Sequence, residues 1–269
     1  YIFSSIRFMI PSFAFTFILL ITFLFTIVTA FRQKRLTEMK NDFINNMTHE
    51  FKTPISTISL AAQMLKDPAV AKSPQMFQHI SGVINDETKR LRFQVEKVLQ
   101  MSMFERQKTM MKLNAVDVND LVTSVMSTFK LKVEKFGGTI DADLAAEDAM
   151  VMVDEMHFTN VIFNLLDNAV KYAREDVPLA LFIRTRIEGD KVEISIQDNG
   201  IGIKKEDLKK IFEKFYRVST GNLHNVKGFG LGLAYVHKIV TDLKGTIRAE
   251  SELGVGTKFI ITLPLIKNK

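Results

Sequence analysis

The stretch "FNLLDNAVKYA", Phe163 to Ala173, reads as part of a helix with two unlike faces. Asn164, Asn168, Lys171 and Tyr172 fall at i, i+4, i+7 and i+8 and so share one face, while Phe158, Ile162, Leu165 and Ala169 occupy another. Two amides, a lysine and a tyrosine on one face suit a metal-bound polyphosphate with a flat ring nearby. Amide oxygens can join phosphates and waters around Mg²⁺, and an ammonium can balance phosphate charge. For this helix taken alone, a merely solvated polar face remains the alternative.

The surroundings supply a sheet for the apolar face. From about Lys112 the pattern mixes strands and helices. "GGTIDADL" and "AMVMVD" read as strands, and a helix spans about Glu155 to Tyr172. "LALFIRTRIEG" and "DKVEISIQ" alternate like a hairpin closed at Glu188-Gly189-Asp190. Another helix and two final strands, "GTIRAES" and "GTKFIITLP", complete an α/β sandwich with helices on one face.

Two glycine-bearing stretches lie between those elements. In "DNGIGI" a strand runs into Asp198, whose carboxylate can accept a hydrogen bond from an exocyclic amine, and Gly200 and Gly202 allow a ligand close to the backbone. A tight turn carrying an acidic residue is the alternative. In "GFGLGLAYV", Gly228, Gly230 and Gly232 precede or open a helix, whose free N–H groups favour an anion. The preceding "RVSTGNLHNVK" is polar and aperiodic, as a mobile lid would be.

Upstream, "KDPAVAKSP" separates two helical runs, about Thr37 to Leu65 and about Gln75 to Arg106. Ile44, Met47, Phe51, Ile55, Ile58, Ala62 and Leu65 form a heptad-like stripe in the first; Phe77, Ile80, Ile84, Leu91, Val95 and Val98 do so in the second. One hairpin encloses little core, so two copies forming a dimeric four-helix bundle are expected. At 100° per residue His49 lies roughly 165° from the mean direction of the first stripe and faces water. Thr53 shares that face, Glu50 sits to one side, and Pro54 is expected to kink the helix. An exposed neutral imidazole beside a carboxylate is a candidate nucleophile. An idle surface histidine is the alternative, and metal binding is disfavoured because no second ligand stands at i+3 or i+4.

The chain has 269 residues, 46 % of them apolar, which excludes a mainly disordered protein. It has no cysteine, hence no disulfide, thiolate metal site or cysteine nucleophile. The formal charge of +6 arises from 36 basic and 30 acidic residues interspersed without a basic block, so a nucleic-acid partner is not expected. From Phe8 to Phe31 no residue is charged, which is long enough to cross a bilayer. Arg32, Lys34 and Arg35 follow, against Arg7 alone on the other side, so residues after about 31 are expected in the cytoplasm. The chain starts at Tyr1, and residues 1–7 are read as the end of an upstream extracytoplasmic region. The expected division is then a transmembrane helix at 8–31, a helical domain at 32–109 and an α/β domain at 110–269.

Taken in order, "FINNMTHEFKTPIS", "NLLDNAVKYA", "DNGIGI", "IFEKFYRV" and "GFGLGL" closely resemble the H, N, G1, F and G2 boxes of the sensor histidine kinases of two-component signalling. The resemblance covers about Lys40 to Leu263. It implies an α+β fold: an N-terminal transmembrane helix, a helical hairpin forming a dimeric four-helix bundle, and an ATP-binding sandwich of the Bergerat type shared with Hsp90, gyrase and MutL. There is no P-loop sequence.

The resemblance further implies roles. His49 is the expected phosphoacceptor, with Glu50 taking up its ring proton, and Asn164 and Asn168 the expected holders of Mg²⁺ and phosphate. Lys171 would contact phosphates, Tyr172 would lie against adenine, and Asp198 would bind the adenine amino group in a pocket shaped by Gly200 and Gly202. Phe212, Phe215 and Arg217 belong to the F box, with Arg217 reaching the γ-phosphate. Gly228, Gly230, Leu231 and Gly232 would receive the phosphate tail. The expected cofactors are ATP and Mg²⁺, and the expected partners a second copy of the chain, the membrane, and the receiver domain of a separate response regulator. The implied location is the bacterial inner membrane. The pattern His49-Glu50-x-x-Thr53 implies phosphatase action on that regulator as well. The ATP domain would swing about a hinge around Gln107 to Leu113; transfer within or between subunits stays open at this point. Only about a dozen residues separate Phe31 from the helix bearing His49, which leaves no room for a HAMP or PAS module.

Overall fold

The computed structural model describes the backbone of residues 2–106, 111–135, 137–218 and 230–266, and the side chains of these except 2–10, 71, 93 and 96–106. The chain divides into two units, Tyr1–Thr48 and His49–Lys269. Helix α1 (Ile2–Met64) includes a stretch long and apolar enough to cross a membrane. Phe13, Phe15, Phe23 and Phe25 are each more than 60 % exposed. At 100° per residue they point all round the helix. The threonines in this stretch satisfy themselves: Thr16, Thr22, Thr26 and Thr29 each donate to the carbonyl four residues back at 2.8–2.9 Å.

In the second unit the sequence expectation of a break between two helices holds, with a difference in detail. The interruption contains a one-turn helix, α2 (Pro68–Ala71), capped by Asp67, which accepts the Ala69 N–H at 2.8 Å. Helix α3 (Pro74–Arg106) follows. Pro54 does not end α1; it removes a single backbone donor and its ring is buried. Ala61, Val70 and Ile80 form a small core, with Leu65, Val83 and Ile84 against it. Much of the expected stripe stays uncovered within one chain: Ile44 and Ile55 are exposed on α1, as are Phe77 and Val95 on α3. The neighbouring Leu60, Met64 and Met76 are exposed too.

The rest is a sandwich. Strand β1 (Asn114–Asp117) pairs antiparallel with β3 (Met150–Val153) in a small two-stranded sheet. Helix α4 (Val118–Glu134) and strand β2 (Thr139–Leu144) lie between them in sequence. Helix α5 (Glu155–Lys171) is followed by the hairpin β4 (Ala180–Glu188) and β5 (Lys191–Asp198), then α6 (Gly232–Asp242), β6 (Thr246–Glu252) and β7 (Gly256–Pro264). The main sheet has the order β2-β4-β5-β7-β6, antiparallel except for β2 with β4. Period-two alternation puts Leu181, Ile183, Ile194, Ile196, Phe259 and Ile261 on one face, buried together with Phe129 of α4, Phe158 and Ile162 of α5 and Ile239 of α6. The opposite face carries Arg184, Arg186 and Asp143.

A polar bridge crosses the core. The Thr185 hydroxyl, fully buried, donates to Asn119 Oδ1 at 2.8 Å, and Asn119 Nδ2 donates to the Ala146 carbonyl at 2.8 Å. Asn119→Ala strands both groups, and thermal or urea unfolding is expected to register a loss of about 1–3 kcal/mol.

Candidate functional site

Helix α5 begins where Asp154 accepts the His157 N–H at 3.1 Å. Its apolar side is locked by Phe158, Val161, Ile162 and Leu165, all fully or nearly fully buried. The opposite side therefore has no freedom to turn away. Asn164, Asn168, Lys171 and Tyr172 open into a single cavity of about 310 Å³. Asn164 is oriented by donating from Nδ2 to the Asn160 carbonyl at 2.7 Å, which leaves its Oδ1 toward Gly232.

The end of β5 forms the second wall. Asp198 Oδ1 accepts from the Gly200 N–H at 2.8 Å and from the Thr257 N–H at 3.2 Å. Burial lifts the Asp198 carboxyl above its ordinary value, and these two hydrogen bonds pull the other way. Gly200 lies behind the cavity rather than in its lining: a Cβ there would meet the Tyr172 carbonyl oxygen at 2.4 Å. Gly202 borders the cavity with φ of 72°, and its Cβ would stand 2.0 Å from the Glu252 carbonyl oxygen. Both glycines thus serve close backbone packing that keeps Asp198 at the mouth.

The F and G2 boxes meet back to back. Phe215, with φ of 66°, donates its N–H to the Gly230 carbonyl at 3.0 Å, and Gly230 has φ of 68°. Phe212 and Phe215 do not border the cavity, whereas Arg217, Gly230, Leu231 and Gly232 do. Burial raises the Tyr172 phenol above its ordinary value against the opposing positive charge of Arg217. Gly228, most of the expected lid and residues 107–110 of the expected hinge lie outside the described residues.

His49 is exposed, as is Thr53 one turn on, whose hydroxyl donates to the His49 carbonyl at 3.3 Å. Glu50 is half-buried and takes a hydrogen bond from Gln94 Nε2 at 3.3 Å. Glu50, Gln94 and Arg90 of the helical hairpin border the same cavity as Asn168 and Asp198. Sequence reasoning missed Arg90, Gln94 and Thr257, because α3 carried only an apolar stripe as a signal and the Thr257 contact depends on strand register. It missed Asp167 too. This nearly buried carboxylate holds Lys171 Nζ at 3.1 Å through Oδ2 and Lys132 Nζ at 3.1 Å through Oδ1. Among the described residues no three histidine or acidic side chains gather around a metal position.

Residues 39–107 match the His Kinase A (phospho-acceptor) domain, and residues 153–267 match the histidine kinase-, DNA gyrase B- and HSP90-like ATPase family. Sensor protein RprX of Bacteroides fragilis is 73 % identical over 268 residues, covering 100 % of this chain and 52 % of that protein. The chain thus spans about half the length of that relative. The catalytic domain of histidine kinase ThkA superposes with a TM-score of 0.51 at 28 % identity, covering 58 % of this chain and 97 % of that one. ThkA in complex with response regulator protein TrrA shares the fold, with a TM-score of 0.60 at 24 % identity over 87 % of this chain and 64 % of that one.

A ligand amine donating to Asp198 binds its carboxylate, so affinity for an adenine nucleotide is expected to weaken as pH falls through the raised pKa. The folded pKa lies above the unfolded one. The carboxyl's contribution to stability is therefore present at low pH and is lost as pH rises through the folded value. Asp198→Asn should accordingly raise the Tm of the ligand-free chain at pH 7 while weakening adenine-nucleotide binding about tenfold or more, as calorimetry would read.

Proposed function

The chain belongs to the sensor histidine kinases, and on that premise we propose that it transfers the γ-phosphoryl group of ATP to His49 and then to an aspartate of a separate response regulator. The observation that carries this reading is the shared cavity: Glu50, next to the exposed His49, borders it together with Asn164, Asn168, Lys171 and Asp198. The donor set fits Mg-ATP. Asp198 can accept from the adenine amino group, Tyr172 offers a ring, and the amides of Asn164 and Asn168 would hold Mg²⁺ through their oxygens alongside the phosphates. Bound Mg²⁺ would neutralise charge on the phosphates.

Phosphoryl transfer depends mainly on positioning and charge balance. Asp198 and Tyr172 hold the base end, while Lys171 and Arg217 face the phosphates. The imidazole of His49 attacks phosphorus, the bond to the ADP oxygen breaks, and Glu50, oriented by Gln94, takes the ring proton. Because Glu50, Arg90 and Gln94 border the cavity of their own chain, transfer within one subunit is the favoured route. In the reverse role, Thr53 would orient a water against the phosphorylated regulator.

The uncovered apolar residues Ile55, Leu60, Met64, Met76 and Phe77 fit pairing of two hairpins into a dimeric four-helix bundle. Residues 8–31 are proposed to cross the bacterial cell membrane and those after about 31 to lie in the cytoplasm. Residues 32–109 would then serve dimerisation and phosphotransfer, and 110–269 ATP binding. The proposed partners are a second copy of this chain and a receiver domain.

Incubation with γ-labelled Mg-ATP should give label that is lost in acid, survives alkali, and is absent from His49→Ala and Asn168→Ala. Co-expressed heterodimers of those two variants should stay unlabelled; label there would mean transfer between subunits. Label in neither wild type nor variants would overturn the kinase reading. Thr53→Ala should retain autophosphorylation and lose at least about tenfold of the dephosphorylation rate of a phosphorylated regulator, measured by release of inorganic phosphate. Equal rates would remove Thr53 from that reaction.

A further inference from the structure

Asp167 is an unexpected residue for a phosphate pocket. It lies on α5 between Asn164 and Asn168, borders the cavity, and its side chain is 11 % exposed. A nearly buried carboxylate beside polyphosphate would repel the ligand and lack solvation. Two lysines answer that problem from different directions. Lys171, one turn further along α5, holds Oδ2 at 3.1 Å and also borders the cavity. Lys132 comes from α4, holds Oδ1 at 3.1 Å, and does not border the cavity. Its side chain is 44 % exposed, and packing at its base brings it to the carboxylate. Phe129 and Phe163 meet edge to face at 4.8 Å between ring centres, and one turn beyond each of them stand Lys132 and Asp167. The Lys132 ammonium also sits 5.3 Å from the centre of the Phe129 ring.

The same Lys171 cannot serve Asp167 and a phosphate fully at once. When it turns to the ligand, a nearly buried carboxylate gives up one of its ion pairs, which is unfavourable unless a cation stays on its other oxygen. With Lys132 on the other oxygen, Asp167 stays paired whichever way Lys171 points. We propose that Lys132 is a positioning residue for the nucleotide phosphates, acting through Asp167 by letting Lys171 exchange that carboxylate for the ligand. This deepens the nucleotide-binding reading above and rests on it.

The test is a double-mutant cycle on the full chain in detergent, with Kd for the Mg complex of a non-hydrolysable ATP analogue, and for adenosine, read by calorimetry. Lys132→Met should weaken the ATP analogue about fivefold or more and leave adenosine, which has no phosphate, unchanged. In an Asp167→Asn background, where no carboxylate needs pairing, Lys132→Met should have no effect on either ligand. Lys132→Arg should keep wild-type affinity, and Lys132→Gln replaces Lys132→Met if the latter does not fold. An unchanged Kd for the analogue overturns the proposal. So does an equal loss in both backgrounds, or a matching loss for adenosine, since each marks a general distortion. A wild type that binds both ligands but shows no coupling defeats this proposal alone; a wild type that binds neither defeats the nucleotide reading with it.

Discussion

Helix α5 has to satisfy two environments at once, and most of the molecule follows from how it does so. Phe158, Val161, Ile162 and Leu165 are withdrawn from water against the sheet and α4. Burial of these four side chains contributes several kcal/mol at about 1.5–3 kcal/mol each, measured against leaving them exposed. That same burial fixes the helix in rotation. Asn164, Asn168 and Lys171 are then presented to a cavity as a consequence of core packing, with no separate device needed to aim them. The N-cap at Asp154 sets where the helix starts, and hence how far along the cavity each side chain reaches.

Around this fixed helix the ligand-facing charges are held in costly states. Burial works against the ionised form of Asp198, and two backbone N–H groups work for it. In the proposed role an amine arriving from a ligand would relieve that cost, so that affinity and discrimination would come from one carboxylate. Lys171 is occupied by Asp167 and shares it with Lys132. Both arrangements store interaction that a ligand of the right chemistry can redirect, and both are built by contacts between elements distant in sequence.

The helical hairpin presents the opposite condition, an interior that is incomplete. Among the described residues its buried apolar cluster is limited to Ala61, Val70 and Ile80. Exposed leucine, isoleucine, methionine and phenylalanine of this extent on adjacent helices are the mark of a surface that meets a partner. The exposed His49 stands on the helix side away from the apolar stripe, so covering that stripe would leave the histidine open to chemistry.

The sequence by itself determined the nature of each segment where a single element carried the signal. The uncharged run at 8–31, the polar face of Asn164, Asn168, Lys171 and Tyr172, the β4–β5 hairpin and the outward direction of His49 were all legible, because spacing along one helix or strand dictates which residues share a face. Strand β1 was not marked out, since four residues of strand carry too little periodicity to stand apart from a loop. Only the tertiary structure decided that Thr257 faces Asp198, that Glu50, Gln94 and Arg90 border the nucleotide cavity, and that Lys132 and Lys171 share Asp167. Each of these joins two elements, and whether two elements meet depends on strand register and on the burial of the whole core, which no local spacing records.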